Sequence, residues 1–413
     1  MSNIWHPFTQ HGLNEPIIEI ERTKDEFLIT KDGRQIIDGI SSWWVNTLGH
    51  SNPHIMSAIE AQSKLTDQII FAGFSHSPSL LMSEKLHKFL PPSLEYTFFS
   101  DSGSTAVEVG LKMAIGYFYN KYGQNRSKIV ALEHSYHGDT FGGMSSGARG
   151  VFNCAYSSML FDVEHLPFPY QNQEQQTIDS FKNILEKEHK KISAIILEPL
   201  VLGSGGMLLY EPYVIEELYK IAKDYGIFFI LDEVMTGFGR TGTMFAFEQT
   251  SIVPDIICLS KGLTGGSLPL AVTCSTKELF DAYYSDDKAK MFFHSSSFTA
   301  NPIAAAAALA NLEIWESEDI LSKVDRINAF YEKEMSHFKN ARKIGGIFAF
   351  DIDGVSNNYM ADIAPLLYKF YRENDVLLRP LGNTVYVMPP YCIKNSSLEK
   401  IFAILKDSLT LLN

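Results

Sequence analysis

Cysteine is scarce in this chain: Cys154, Cys258, Cys274 and Cys392 are its four thiols in 413 residues, far apart and with no Cys-x-x-Cys pair. That spacing offers neither a zinc site nor a disulfide framework, so a reducing cytoplasm is the expected compartment. Basic charge is equally short. Thirty-five Lys and Arg stand against 48 Asp and Glu, a net charge of −13, which argues against nucleic acid and anionic membrane surfaces as partners. Any anionic ligand must then be held by local donors. Long apolar runs are missing as well. Nothing approaches the roughly 18 residues of a membrane span, and the opening MSNIWHPFTQ has no basic or apolar region of an export signal. The chain reads as soluble and unexported. Repeats, low-complexity tracts and flexible linkers are also lacking.

What is present is ordinary globular sequence, 45% hydrophobic and 20% charged. Residues 17–38 read as short strands, with Asp32-Gly33 turning a hairpin between 27–29 and 36–37. Helices are expected from Pro53 to about 68 and from Pro78, then a strand at 96–99 and a long helix over 104–119. The alternation continues through strands 128–132 and 194–197, a helix 211–225, and strands 227–231 and 256–259. After an alanine-rich helix at 303–315 the order turns α+β. A helix to about 338, a strand at 347–352, a helix at 361–373, short strands near 377 and 385, and a last helix from 397 complete it. The fold class is α/β: a large, mostly parallel α/β/α sheet domain over 51–305, with a small α+β domain built from 1–50 and 306–413.

The chemistry concentrates in residues 226–266. The runs 227–231 and 256–259 are β-rich and do not alternate, as strands buried on both faces read. Each delivers a charged residue at its carboxyl end, Asp232 and Lys261, and ligands of open α/β sheets bind beyond those ends. An amine and an acid brought together there suit pyridoxal phosphate. A lysine forms a Schiff base with the aldehyde, and a carboxylate keeps the pyridine nitrogen protonated.

Other stretches admit two readings. Ser100-Asp-Ser-Gly-Ser-Thr105 is either a plain N-cap or a phosphate cradle at a helix start. Gly237-Phe-Gly-Arg-Thr-Gly242 matches a dinucleotide fingerprint in letters, but residues 232–236 separate it from the strand, so a loop rim is expected. Residues 133–139 hold metal-capable side chains without a second cluster, and no metal is expected. Tyr136 there could cover a planar ring. Trp43 and Trp44 are core residues or pocket walls, and Arg379 is a structural ion pair or a carboxylate clamp.

LDEVMTGFGRTG and LSKGLTGG, at this separation, resemble the class III pyridoxal-phosphate aminotransferases of fold type I, and the resemblance runs over nearly the whole chain. Trp5-His-Pro-Phe-Thr9, Ser41-Ser-Trp-Trp44, Tyr136-His-Gly-Asp-Thr-Phe141, Arg379-Pro and Tyr386-Val-Met-Pro-Pro-Tyr391 resemble more narrowly the branch acting in biotin synthesis. That branch takes 8-amino-7-oxononanoate, with S-adenosyl-L-methionine the implied amino donor and lysine the alternative. The resemblance implies that Lys261 links the cofactor and shuttles a proton, that Asp232 binds the pyridine nitrogen, and that Gly103 and Ser104 hold the phosphate. It further implies that Tyr136 stacks near the ring, that Phe8, Trp43, Trp44, Tyr136 and Tyr386 wall the substrate channel, and that Arg379 binds the substrate carboxylate. Ser295, Ser296 and Ser297 lie in a segment that in the family reaches the neighbouring subunit's cofactor phosphate, which implies a homodimer. Three departures from the family stand out. Ser295, Ser296 and Ser297 stand where the family has Gly-x-Thr in a His-Gly-x-Thr-Phe pattern, Leu202 replaces a common glutamine, and Phe8 replaces a common tyrosine.

Overall fold

The computed structural model of the chain describes residues 3–353 and 363–410. Its central sheet has seven strands in the order Tyr96–Ser100, Ala271–Ser275, Ile256–Leu259, Phe228–Asp232, Ile192–Leu197, Lys128–Leu132, Val163–Leu166. All run parallel except Ala271–Ser275, which is antiparallel to both neighbours. Strands Phe228–Asp232 and Ile256–Leu259 are buried at every residue. Apolar side chains on both faces are what permit that, because each face is covered. The helix Gly103–Tyr122 packs closest: a Cβ on Gly110 would stand 3.3 Å from Cys258 Sγ, so glycine lets the helix backbone approach the sheet.

Two smaller sheets join distant parts of the chain. The hairpin Phe27–Thr30 and Gln35–Asp38 pairs with Ile20–Lys24 on one side and, in parallel, with Val376–Leu377 on the other. Asp38 is the register partner of Leu377, which brings the turn after Asp38 beside Arg379. A second sheet of Arg342–Ile344, Ile347–Asp351 and Thr384–Val387 carries Tyr386.

Several elements differ from expectation. The helix opened by Pro53 ends at Ser63, where Gln62 turns the chain: its carbonyl accepts from Leu65 and Thr66, and its side-chain amide donates to the Thr66 carbonyl. The helix expected over 104–119 runs Gly103–Tyr122, from a Ser102/Thr105 capping box to Gly123 at φ 65. Strands Val163–Leu166 and Ala271–Ser275 and helix Glu174–Glu188 were not anticipated. Of the helix expected at 361–373, the structure gives Ile363–Glu373, and residues 361–362 lie outside the described residues. Among the described residues no helix is long and apolar enough to cross a membrane.

Candidate active site

The carboxyl ends of strands Phe228–Asp232 and Ile256–Leu259 open on a cavity of about 350 Å³. Phe8, Trp43, Trp44, Gly103, Ser104, Tyr136, Asp232, Lys261, Arg379 and Tyr386 all line it. Residues from eight separate stretches of sequence thus meet in one concave site, the usual form of a small-molecule pocket.

Lys261 lies one residue beyond the strand Ile256–Leu259, the intervening Ser260 being anchored by its hydroxyl to the Leu270 carbonyl at 2.8 Å. Its backbone is left-handed, φ 47, a sparsely used conformation for a residue with a Cβ. Its Nζ lies 4.6 Å from the centre of the Trp44 ring. Burial pushes the amine down from 10.5 to about 8, against the opposing charges of Asp232 and Glu198. A lysine so placed is a usable nucleophile near neutral pH.

Asp232 is the last residue of its strand, and its carboxylate is fixed from two sides. His137 Nδ1 lies 2.7 Å from Oδ2, and the backbone N–H of Val234 donates to Oδ1 at 3.1 Å. The amino terminus of the helix Gly103–Tyr122 also lines the cavity, and its first-turn N–H groups have no carbonyl of their own helix to serve. Space there is kept by glycine. Gly138 has φ 107, and a Cβ on it would lie 2.0 Å from Ser104 Oγ; one on Gly103 would lie 2.4 Å from Val234 Cγ1. An amine, an orienting acid and an anion cradle are the donor set that a phosphorylated pyridine aldehyde needs, and the residues fit that cofactor.

The aromatic side of the cavity is held as firmly. Trp44 Nε1–H donates to Tyr386 Oη at 3.0 Å, and the Trp44 ring is buried. Trp44 is therefore both a core residue and a wall, while Trp43 stays 39% exposed and lies 5.0 Å from the Arg379 guanidinium. Arg379 makes no ion pair with a carboxylate among the described residues; it donates to the Phe8 carbonyl at 3.0 Å. Burial, and next the charge of Asp139, push the Tyr136 phenol up.

Ser295, Ser296 and Ser297 do not line this cavity. Ser296 Oγ donates to Asp101, the Ser297 carbonyl accepts from Gln68 at 3.0 Å, and the Ser295 hydroxyl turns back to the Ser296 carbonyl at 3.1 Å. Leu202 is buried outside the lining. Residues 237–242 form turns and lead into the short 3-10 helix Ala246–Gln249, not the long helix of a dinucleotide fold. Arg240 within them is fully buried and donates to the carbonyls of Trp44, Asn46 and Pro389. Among the described residues no three His, Cys, Asp or Glu side chains are grouped as a metal site.

Among the polar and aromatic lining residues, Phe152, Glu198 and Ser204 were not singled out in the sequence, and His137 was read only as a metal-capable side chain. Glu198 accepts from the backbone N–H groups of Tyr136 at 2.9 Å and Gly203 at 3.0 Å, and burial pushes its carboxyl up to about 7. Its place at the end of the strand Ile192–Leu197 was the available signal, the same strand-end logic that marks Asp232.

Residues 8–409 match the family model for aminotransferase class-III. The adenosylmethionine-8-amino-7-oxononanoate aminotransferase of Synechococcus elongatus is 41% identical over 417 residues, covering 98% of each chain. The protein of the same name from Helicobacter pylori is 34% identical, covering 98% of this chain and 95% of its own. Among solved structures, that of the adenosylmethionine-8-amino-7-oxononanoate aminotransferase from Methanocaldococcus jannaschii superposes with a TM-score of 0.92 at 32% identity, over 99% of this chain and 97% of its own. A pyridoxal-phosphate-bound amine transaminase from an uncultivated Pseudomonas species gives 0.91 at 27% identity, over 100% and 99%. A half-buried lysine and a buried acid at adjoining strand ends, and a family match spanning almost the full length, lead to one conclusion: the chain belongs to the class III aminotransferases, enzymes of pyridoxal 5′-phosphate.

Proposed function

We propose that this enzyme transfers an amino group to 8-amino-7-oxononanoate, giving 7,8-diaminononanoate for biotin synthesis, with S-adenosyl-L-methionine as donor. The observation that carries the reading is the shape of the cavity. Lys261, Asp232 and the guanidinium of Arg379, which is free of any carboxylate among the described residues, line one cavity, with the Trp44 ring against Lys261 and the Trp43 ring against Arg379. A keto acid whose carboxylate is separated from its ketone by an apolar chain suits that set of groups. Relatives that carry the name of this activity over their full length support it.

When bound, the cofactor supplies an electron sink that lets the hydrogen on an amine-bearing carbon leave as a proton. Lys261 Nζ would hold the cofactor aldehyde between turnovers and, once freed from it by the incoming amine, would move the proton at that carbon. Asp232 would keep the pyridine nitrogen charged, with His137 holding the acid in place. Gly103 and Ser104 would hold the phosphate, Tyr136 would lie against the ring, and Arg379 would clamp the substrate carboxylate. Phe8, Trp43, Trp44 and Tyr386 exclude water from the chain between, and their faces suit the sulfonium of the donor. Donor and acceptor use the site in turn.

We assign Ser295, Ser296 and Ser297 to the partner subunit's site in a homodimer, a reading supported by their place outside their own chain's cavity. The domain division is the one expected above, a large cofactor domain over 51–305 and a small one from 1–50 and 306–413, and the compartment is the cytoplasm. Mass spectrometry of product formed from 8-amino-7-oxononanoate, with adenosylmethionine or lysine offered as donor, tests the activity. Turnover of ω-amines with no diaminononanoate formed would place the enzyme elsewhere among class III aminotransferases.

A further inference from the structure

The turn Ser41–Trp44 is left-handed throughout. φ is 54 at Ser41, 45 at Ser42, 73 at Trp43 and 70 at Trp44, and none of the four is glycine. Residues with a Cβ visit this region singly and at a cost, so four in succession persist only where the surroundings over-determine them.

Asp38 supplies much of that constraint. Its side chain is fully buried and takes four donors: the N–H groups of Ile40 at 3.3 Å and Ser42 at 2.9 Å, the Ser42 hydroxyl at 2.7 Å, and His50 Nε2 at 2.8 Å. His50 reaches in from the loop before the helix Pro53–Ser63, and its own backbone is bridged to Asp25. The far side of the turn is tied down as well. The Ser41 hydroxyl donates to the Met388 carbonyl at 2.8 Å, and Arg240 donates to the carbonyls of Trp44 and Asn46.

The turn sends its two indoles in different directions. The Trp44 ring meets Lys261 Nζ, and the Trp43 ring lies against the Arg379 guanidinium and, 5.2 Å between centres, the edge of Phe8. Asp38 and Leu377 are register partners, so the turn and Arg379 leave the same pair of strands side by side. Neither Asp38 nor His50 lines the cavity.

We propose that Asp38 and His50 are positioning residues for the transamination. By holding this left-handed turn they set, through Trp44 and Trp43, the directions of Lys261 and Arg379. The proposal rests on the roles given to Lys261 and Arg379 above.

The test compares His50→Phe, which keeps a ring and removes the donor, with His50→Gln, which offers an amide N–H in its place. Hydrogen exchange is measured over residues 40–46 with and without cofactor, together with the single-turnover rate of the donor half-reaction and the KM for the keto acid. His50→Phe should speed exchange across 40–46 in both forms, slow the half-reaction and raise the KM, each kinetic change by roughly tenfold or more, as misplacement of reacting groups does. His50→Gln should recover most of all three. Unchanged exchange and kinetics in His50→Phe would overturn the proposal, and so would a lower thermal midpoint with normal kinetics in the folded fraction. Should His50→Phe not fold, Ser42→Ala, which removes only the hydroxyl bond to Asp38, must show the same pattern at smaller size; wild-type behaviour there overturns the proposal. If the wild type rejects 8-amino-7-oxononanoate, the substrate reading fails, and exchange with the donor half-reaction still decides the positioning role.

Discussion

His137 Nδ1 sits 2.7 Å from Asp232 Oδ2 with both residues buried, so the acid at the strand end is oriented by an imidazole from a different strand-end loop. The remaining oxygen takes the Val234 N–H, which leaves the carboxylate little freedom to rotate.

Removing that restraint should slow the reaction without abolishing it. His137→Phe keeps a ring in the space and loses the donor. Partners that orient a metal ligand are typically worth about 10–100-fold, and by the same orienting logic kcat should fall in that range with KM nearly constant. Asp232→Asn should cost several orders of magnitude, since a neutral amide cannot stabilise a pyridinium charge. Steady-state kinetics of the two variants check the order, and equal losses would mean that the histidine does more than orient.

Lys261 gives a stability slope of definite sign. The buried amine titrates near 8, while the unfolded chain keeps the ordinary 10.5. Between those values the unfolded state holds the extra proton, so this group makes the cofactor-free protein more stable as pH rises from about 8 to about 10.5. Below pH 8 the full cost of the buried ammonium remains. Urea unfolding of cofactor-free wild type and Lys261→Met across this range isolates the term. The wild type should gain on the variant as pH rises, and a constant gap would refute the assignment.

Arg379→Ala should weaken the keto acid by up to about 2–5 kcal/mol, the loss when one member of a charge pair buried on binding is removed, and by less to the extent that the half-buried guanidinium keeps its water. Arg379→Lys should recover little, because a point charge cannot reproduce the planar fork or its contact with the Trp43 ring. The half-reaction of a simple primary amine without a carboxylate serves as the control. Equal loss there would mean that the arginine supports the site as a whole.

The sheet and its two charged strand ends were legible because burial on both faces leaves a mark in sequence: apolar runs without alternation, ended by Asp232 and Lys261. The antiparallel strand Ala271–Ser275 left no such mark, since its Thr and Ser are buried along with its apolar residues. Ser41–Trp44 could be named as a pocket wall, but nothing in Ser-Ser-Trp-Trp announces positive φ, which glycine would have done. Its cause lies in contacts remote along the chain, such as Arg240 with the Trp44 carbonyl across 196 positions. His137 could be seen only as a metal-capable side chain. Its partner stands 95 residues away, and spacing carries no information at that range.

Phe8 is where this chain departs most visibly from the tyrosine its resemblance implies, and its surroundings limit what restoring the hydroxyl can do. Its ring, 44% exposed, packs edge-on to Trp43 at 5.2 Å and to Phe152 at 6.1 Å between centres. It is the Phe8 carbonyl that receives the Arg379 N–H, and that bond does not depend on the side chain. Phe8→Tyr should therefore leave the carboxylate clamp where it is and add one hydroxyl at the aromatic wall. One neutral hydrogen bond is worth roughly 0.5–1.5 kcal/mol, so affinity for donor or keto acid should move by no more than about tenfold. Half-reactions of both variants with adenosylmethionine and with lysine read this directly. A complete exchange of donor preference would show that the position governs specificity by more than one hydrogen bond, through a shift of the Phe8–Trp43 contact that the carbonyl–arginine bond fails to prevent.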